Sequence, residues 1–345
     1  MDKIRFGIIG TGVIASVHAM ALKEIADAEL VACYDINKER ADAFAEKNGC
    51  KAFSDFNAFL SVVDTVTITT PSGAHLDVAL KAMDQGKNVV IEKPLEITVE
   101  RCQKLIDKAK EKNVVLSGIF QSRFHDAPRL IKKALDEGRF GKVVLIDAQI
   151  KWYRSQEYYD SVSWHGTKKL DGGGALMNQG IHAIDLLSWF GGAVDTVSGE
   201  CRTLAHTNIE VEDTAAAVLT FKSGALGVIE GTTSSWPGFF KRIEISGTEG
   251  SAILEEESLK FWSFKDERPE DNEIREKYSS LITSGGGASD PKAIGYHGHK
   301  LEFEDVIDAI KTGRKPFITG EEAMKAVSII EAVYKSSEDK KIIKL

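Results

Sequence analysis

Lys93 closes the run Asn88-Val89-Val90-Ile91-Glu92-Lys93-Pro94, an apolar stretch ended by proline, and so places a cation at the carboxyl end of a predicted buried strand. An ammonium there can steady a developing alkoxide, or it can form a solvated ion pair with Glu92. His182 is the second candidate centre. It lies four residues after Asn178 and three before Asp185, so that on a helix Asn178 and His182 share a face. Such a histidine is either a general base or a satisfied side chain on a partly buried helix. The third centre is Gly10-Thr11-Gly12-Val13-Ile14-Ala15, a GxGxxA fingerprint directly after the β-branched run Ile4–Ile9. Gly10 permits the tight turn, Gly12 lets the backbone approach a pyrophosphate, and Ala15 lets the following helix pack on its strand. Asp35, about 20 residues further on, ends the run Glu29–Tyr34, where a carboxylate accepts ribose hydroxyls. It repels the extra phosphate of NADP, so NAD is expected, although Lys38 and Arg40 soften that preference. The competing reading makes Asp35 the cap of a helix beginning near Lys38.

The elements that must position these residues alternate. Strands are predicted at residues 4–9, 29–34, 63–70, 89–94 and 114–118, with helices at 54–60, 74–85 and 98–112; these five runs fall in the alternation of a six-stranded sheet. This is α/β architecture: an N-terminal Rossmann-type doubly wound parallel sheet over residues 1–120, whose ligand crevice lies outside the carboxyl ends of its strands. Residues 121–345 read as an α+β domain. Period-two alternation at 144–152, followed by β-rich runs at 214–221, 225–232, 241–246, 251–254 and 259–264, predicts a largely antiparallel open sheet. One face of that sheet must meet solvent or a second copy, so a homodimer or homotetramer through it is expected. Gly285-Gly286-Gly287-Ala288-Ser289 is the one segment expected to be mobile.

Bulk properties exclude several classes. The 345 residues carry a net charge of −8 with no basic patch, which argues against nucleic acid. The four cysteines show no CxxC or Cys/His spacing, and His297 and His299 lack a carboxylate or cysteine at fitting spacing, so no metal site is expected. The apolar opening is broken by Gly7, Gly10, Gly12 and His18, unlike a signal peptide, and no stretch reads as a membrane span. A cytoplasmic protein is expected.

Taken together, the fingerprint at 10–15, Thr70-Pro71-Ser72 with His75, Glu92-Lys93-Pro94, and the glycine-rich segment Gly172–Asp185 resemble the Gfo/Idh/MocA oxidoreductases along essentially the whole chain. The resemblance implies hydride transfer between a sugar, polyol or nucleotide-sugar hydroxyl carbon and NAD, with NADP less favoured. It implies that Glu92 and Lys93 reach the nicotinamide end, that Lys93 contacts the substrate hydroxyl, and that the Lys93–Pro94 bond is cis. Gln121 and Arg123 match positions near the nicotinamide, and His182 matches the catalytic base. Many relatives have aspartate where this chain has Asn178, and an amide supplies hydrogen bonds without charge. Asn178 therefore orients substrate, or His182 has another partner. The segments Trp152–Tyr159 and Gly172–His182 resemble a branch that includes UDP-N-acetylglucosaminuronate 3-dehydrogenases. Arg154 there either meets an anionic substrate group or stacks beside tyrosines. Two alternatives stand against the dehydrogenase: a cofactor-binding regulatory protein without turnover, and an enzyme that cycles bound NAD through isomerisation or glycoside cleavage.

Overall fold

The computed structural model describes residues 3–280 and 295–345, so the glycine segment at 285–289 lies outside the described residues. The chain divides into two compact units, the first made of residues 1–121 and 295–324 and the second of residues 122–294 and 325–345.

The first unit is a six-stranded parallel sheet: β1 (Ile4–Ile9), β2 (Ala28–Tyr34), β3 (Lys51–Phe53), β4 (Thr65–Ile68), β5 (Asn88–Ile91) and β6 (Leu116–Gly118). Their order is β3-β2-β1-β4-β5-β6. The winding reverses between β1 and β4, which opens a crevice at their carboxyl ends. Strand β3 is the member that hydrophobic patterning does not pick out, because it is three residues long and half-buried. Helices α1 (Val13–Lys23), α2 (Lys38–Asn48), α3 (Phe56–Ser61), α4 (His75–Asp84) and α5 (Val99–Lys112) make the connections.

A boundary at residue 120 leaves out the rest of this unit. The returning helix His297–Thr312 inserts Phe303, Val306 and Ile307 into one core with Phe6, Leu22, Ile25 and Val90. The physical reason is burial: without that helix, the faces of β1 and α1 would expose these apolar side chains, at about 25 cal/mol per Å². Ser117 Oγ also donates to the Ile318 carbonyl at 2.7 Å, which ties β6 to the segment after the helix.

The second unit opens with α6 (Asp126–Asp136) and is built on β7 (Val143–Lys151), β8 (Val194–Arg202), β9 (Thr214–Phe221), β10 (Leu226–Thr232), β11 (Arg242–Gly247), β12 (Gly250–Glu255), β13 (Ser258–Phe264) and β14 (Ile343–Lys344). The order is β13-β12-β11-β7-β10-β9-β8-β14, with β7–β10 the one parallel pair. The turn Lys222-Ser223-Gly224 joins β9 to β10 as a hairpin, with Gly224 at φ +86°. Inward residues such as Ile146, Ala148 and Ile150 are buried, and their outward neighbours are not. The unit also contains α7 (Gln156–Asp160), α8 (Ile181–Gly191), α9 (Pro269–Tyr278) and most of the last helix, Gly320–Asp339.

Candidate functional site

In the first unit, Gly10 has φ +89°, and a Cβ there would lie 2.9 Å from the Thr69 carbonyl, so only glycine fits the turn. Gly12 differs, since a Cβ on it would meet nothing within 4 Å: the backbone faces an open cradle. Helix α1 starts at Val13 without a side-chain cap, so its first N–H groups point into that cradle, and Ala15 is fully buried. Val13 is exposed and Ile14 half-buried.

Asp35 is not the cap of α2. That role falls to Asn37, whose side chain accepts from Arg40 N. Asp35 instead accepts from Thr11 N at 2.8 Å, Thr11 Oγ1 at 3.0 Å, Asn37 N at 2.8 Å and Arg40 Nη2 at 3.1 Å. Burial opposes its charge, but these donors hold its carboxyl below the usual range. The Arg40 side chain is 58% exposed, so this ion pair is weak and a ribose hydroxyl can take its place.

The loops after β4 and β5 are joined by His75, whose Nδ1 lies 3.0 Å from the Pro94 carbonyl and Nε2 3.0 Å from the Thr70 carbonyl. The Lys93–Pro94 bond is cis. Pro71 and Ser72 lead from Thr70 into α4 through a single short turn. Thr70 Oγ1 and Gln121 Oε1 are buried and make no hydrogen bond with the described residues. Orphaned polar atoms are costly, and here they fall at two positions matched to the cofactor. Together with the cradle at Gly12 and the carboxylate of Asp35, they fit NAD.

Glu92 turns inward. It is 6% exposed, with Oε1 2.6 Å from His18 Nε2 and 3.6 Å from His299 Nε2, while Oε2 accepts from Lys93 N at 3.0 Å. The structure thus supplies the carboxylate that the spacing of His297 and His299 lacks, and the cluster has the composition of a metal site. Distance decides against that role. Two ligands on one tetrahedral zinc, each at about 2.0–2.1 Å, stand about 3.3 Å apart, whereas 2.6 Å is a hydrogen bond.

In the second unit, the glycine-rich segment runs through a π-helical turn, Ala175–Gly180, into α8. Asn178 belongs to the turn and His182 to the helix, so the simple four-residue helical spacing does not describe them. Asn178 Nδ2 donates to Asp171 Oδ1, and its Oδ1 accepts from Gln179 Nε2 at 3.1 Å. Asp171 is 1% exposed and also accepts from Gly166 N at 2.8 Å. Gln179 reaches Tyr158 Oη at 3.1 Å and accepts from Arg154 Nη2 at 2.7 Å.

Arg123, matched to a position near the nicotinamide, and Arg154, offered either to an anionic substrate group or to stacking, both have partners within the second unit. Arg123 forms a bidentate pair with Asp185, at 2.8 and 2.7 Å, with both side chains buried. A buried guanidinium requires such a partner, and this pair uses the carboxylate next to His182. Arg154 is 3% exposed, donates to the Tyr153 carbonyl and to Gln179, and lies over the Trp152 and Tyr158 rings. These ring contacts are the ones that the stacking alternative expects. Sequence reasoning did not single out His18, Asp171, Gln179 or Glu212. Asp171, directly before the three glycines, had a usable signal in its position; the others are brought into place by the fold.

A doubly wound sheet with a glycine cradle, an acid at the second strand and a lysine at the end of the fifth defines an NAD-binding oxidoreductase. Residues 4–120 match the oxidoreductase family with an NAD-binding Rossmann fold, and residues 129–253 match the GFO/IDH/MocA C-terminal domain. The chain belongs to the Gfo/Idh/MocA family. It is similar to the WlbA dehydrogenase from Bordetella pertussis, solved in complex with NADH and UDP-GlcNAcA, with a TM-score of 0.91 and 33% identity, covering 100% of this chain and 98% of that one. Myo-inositol 2-dehydrogenase from Thermotoga maritima is 29% identical, covering 99% of this chain and 98% of the relative. An NAD(+)-dependent scyllo-inositol 2-dehydrogenase from Bacillus subtilis is 26% identical over 92% and 89%. Among the described residues, no helix is long and apolar enough to cross a membrane.

Proposed function

We propose that the protein oxidises a hydroxyl of a nucleotide-linked sugar acid, with UDP-GlcNAcA as the substrate to test first. The dehydrogenase reading is carried by Thr70 Oγ1 and Gln121 Oε1, two buried, unsatisfied atoms in the unit that also holds the Gly12 cradle. The substrate class is supported by the full-length likeness to the dehydrogenase bound to NADH and UDP-GlcNAcA.

Bound NAD supplies the hydride acceptor. His182, as neutral imidazole, takes the hydroxyl proton, and Lys93 donates a hydrogen bond that stabilises the developing alkoxide. Asn178, fixed by Asp171 and Gln179, orients the hydroxyl without adding charge. The test is Lys93→Met and His182→Ala, assayed by reduced-nicotinamide absorbance. K93M is expected to lose about a hundredfold or more in turnover while still binding NAD. H182A is expected to flatten the ascending limb of the pH–rate profile. Unchanged turnover in K93M, or a surviving limb in H182A, removes that residue from the mechanism.

A second copy of the chain covers the outer face of the second unit's sheet in this reading. Val218 pairs with Val228 and Leu226 with Leu145 across β9, β10 and β7, and Val218 and Leu226 are 52% and 48% exposed. An apolar sheet face of this kind marks an association surface.

A further inference from the structure

We propose that Thr67, His18, Glu92 and His299 form a charge anchor for Lys93, with His18 and His299 acting as positioning residues through the Glu92 carboxylate. The proposal rests on the reading above in which Lys93 is the catalytic cation.

The hydrogen bonds fix the protonation pattern. His18 is fully buried, with Nδ1 2.8 Å from Thr67 Oγ1 and Nε2 2.6 Å from Glu92 Oε1. A carboxylate can only accept, so Nε2 carries the proton, and the Thr67 hydroxyl donates into Nδ1. Burial pushes the ring toward its neutral form against the pull of Glu92. Burial also opposes the charge of Glu92, yet His18 and His299 outweigh it and hold this carboxyl well below the usual range. The result is a neutral imidazole bound to a permanent buried anion. That anion spends its second oxygen on the backbone N–H of Lys93, at 3.0 Å.

Two elements reach this one carboxylate directly, and a third does so through His18. His18 stands on α1, one turn past Ala15 of the glycine fingerprint, Thr67 is on β4, and His299 is on the returning helix. The His18 and His299 rings lie 5.3 Å apart, and Phe303 closes the edge of His18 at 5.2 Å. The anchor thus links the phosphate-binding helix to the residue that carries the ammonium. Other charged groups nearby are His75 on α4, which senses both Glu92 and Glu96, and Glu96 itself, which is neutralised by a bidentate pair with Arg101. Glu92 is therefore the anion nearest in sequence to Lys93 that lacks a cationic side chain of its own.

In this proposal the fixed anion, held against the backbone N–H of Lys93, raises the proton affinity of the Lys93 ammonium, so removing it lowers the midpoint at which that ammonium titrates. The measurement needs no substrate. Protein labelled at lysine 13Cε is titrated by NMR, and the Lys93 signal is identified by its loss in K93M. In E92Q the Lys93 midpoint is expected to fall by about one pH unit. H18F is expected to give a smaller fall in the same direction, and H18Q, which restores a donor where Nε2 stood, is expected to recover the wild-type value. A structural role alone would lower stability in E92Q and H18F and leave the midpoint in place, and that result overturns the proposal. Wild-type protein gives a check that no misfolded variant can obscure: imidazole 15N shifts are expected to report a neutral Nε2–H tautomer for His18 at pH 7. The Nδ1–H tautomer or an imidazolium contradicts the anchor. Turnover of K93M with UDP-GlcNAcA reports separately on the catalytic reading. An inactive K93M with an unmoved E92Q midpoint ends the anchor alone, and a fully active K93M ends both.

Discussion

Replacing Glu212 with alanine should unfasten the glycine-rich turn from the sheet that supports it. Glu212 is almost fully buried, yet one oxygen accepts from Leu176 N at 2.8 Å and from Tyr334 Oη at 2.9 Å, and the other accepts from Gly174 N at 3.1 Å. Its backbone carbonyl takes Ala175 N at 3.0 Å. Burial pushes the carboxyl upward and these donors pull it back, so every contact it makes favours an acceptor. Alanine leaves three donors without a partner, at about 1–3 kcal/mol each if they stay dry, so a loss of about 3–9 kcal/mol is expected. Tyr334→Phe removes one of the three and should cost about 1 kcal/mol. Gly174→Ala attacks the same joint from the other side, because its methyl carbon would lie 1.9 Å from the Glu212 carbonyl oxygen. Urea unfolding gives the stabilities, and turnover at temperatures where each variant stays folded gives the function. We expect E212A and G174A to lose turnover out of proportion to the folded fraction, since the turn delivers Asn178 and His182. A loss in E212A no larger than that of Y334F would refute the reasoning, because water would then be satisfying the donors.

Asp35→Asn keeps the shape and removes the charge, so the ratio of NADP to NAD affinity, measured by fluorescence titration, should rise about tenfold at moderate salt. An unchanged ratio would mean that Asp35 does not face the ribose. Asp271 accepts from Arg139, Trp262 Nε1 and Arg268 N; burial opposes its charge, but these donors bring its carboxyl down to about 2. A depressed acid stabilises above its unfolded value near 4, so about 2 kcal/mol should disappear as pH falls from about 4 to 2, and this loss should be absent in D271N. Val218→Glu places charge in the outer sheet face and should reduce the mass seen by light scattering to that of one chain. An assembly unaffected by it would exclude this face.

The parallel sheet was legible because each of its long strands is an apolar run followed by a turn signal, and the fingerprint at Gly10–Ala15 sits between a strand and a helix. Gly10 itself could be assigned from sequence, since only glycine tolerates its φ. What patterning missed is non-local. Nothing in the spacing of Glu92, His18 and His299 announces a cluster, because the chain must cross more than two hundred residues to bring His299 home. Arg123 and Arg154 look like ligands for an anion in one dimension, and in three Arg123 pairs with Asp185 and Arg154 donates to Gln179. Asn178 looked like a lost charge, but its amide sits against Asp171, seven residues upstream. A period of 3.6 could not reveal that, because the turn is π-helical.

The returning helix also imposes an order of events on the ribosome. The glycine fingerprint is among the first segments synthesised, but Phe303, Val306 and Ile307, which complete the core beneath Phe6 and Leu22, are made nearly three hundred residues later. The nascent first unit must therefore wait, with part of its apolar face uncovered, while residues 122–294 of the second unit are translated. A chain stopped after β6 carries every residue of the cofactor fingerprint and lacks a wall of the unit that holds it.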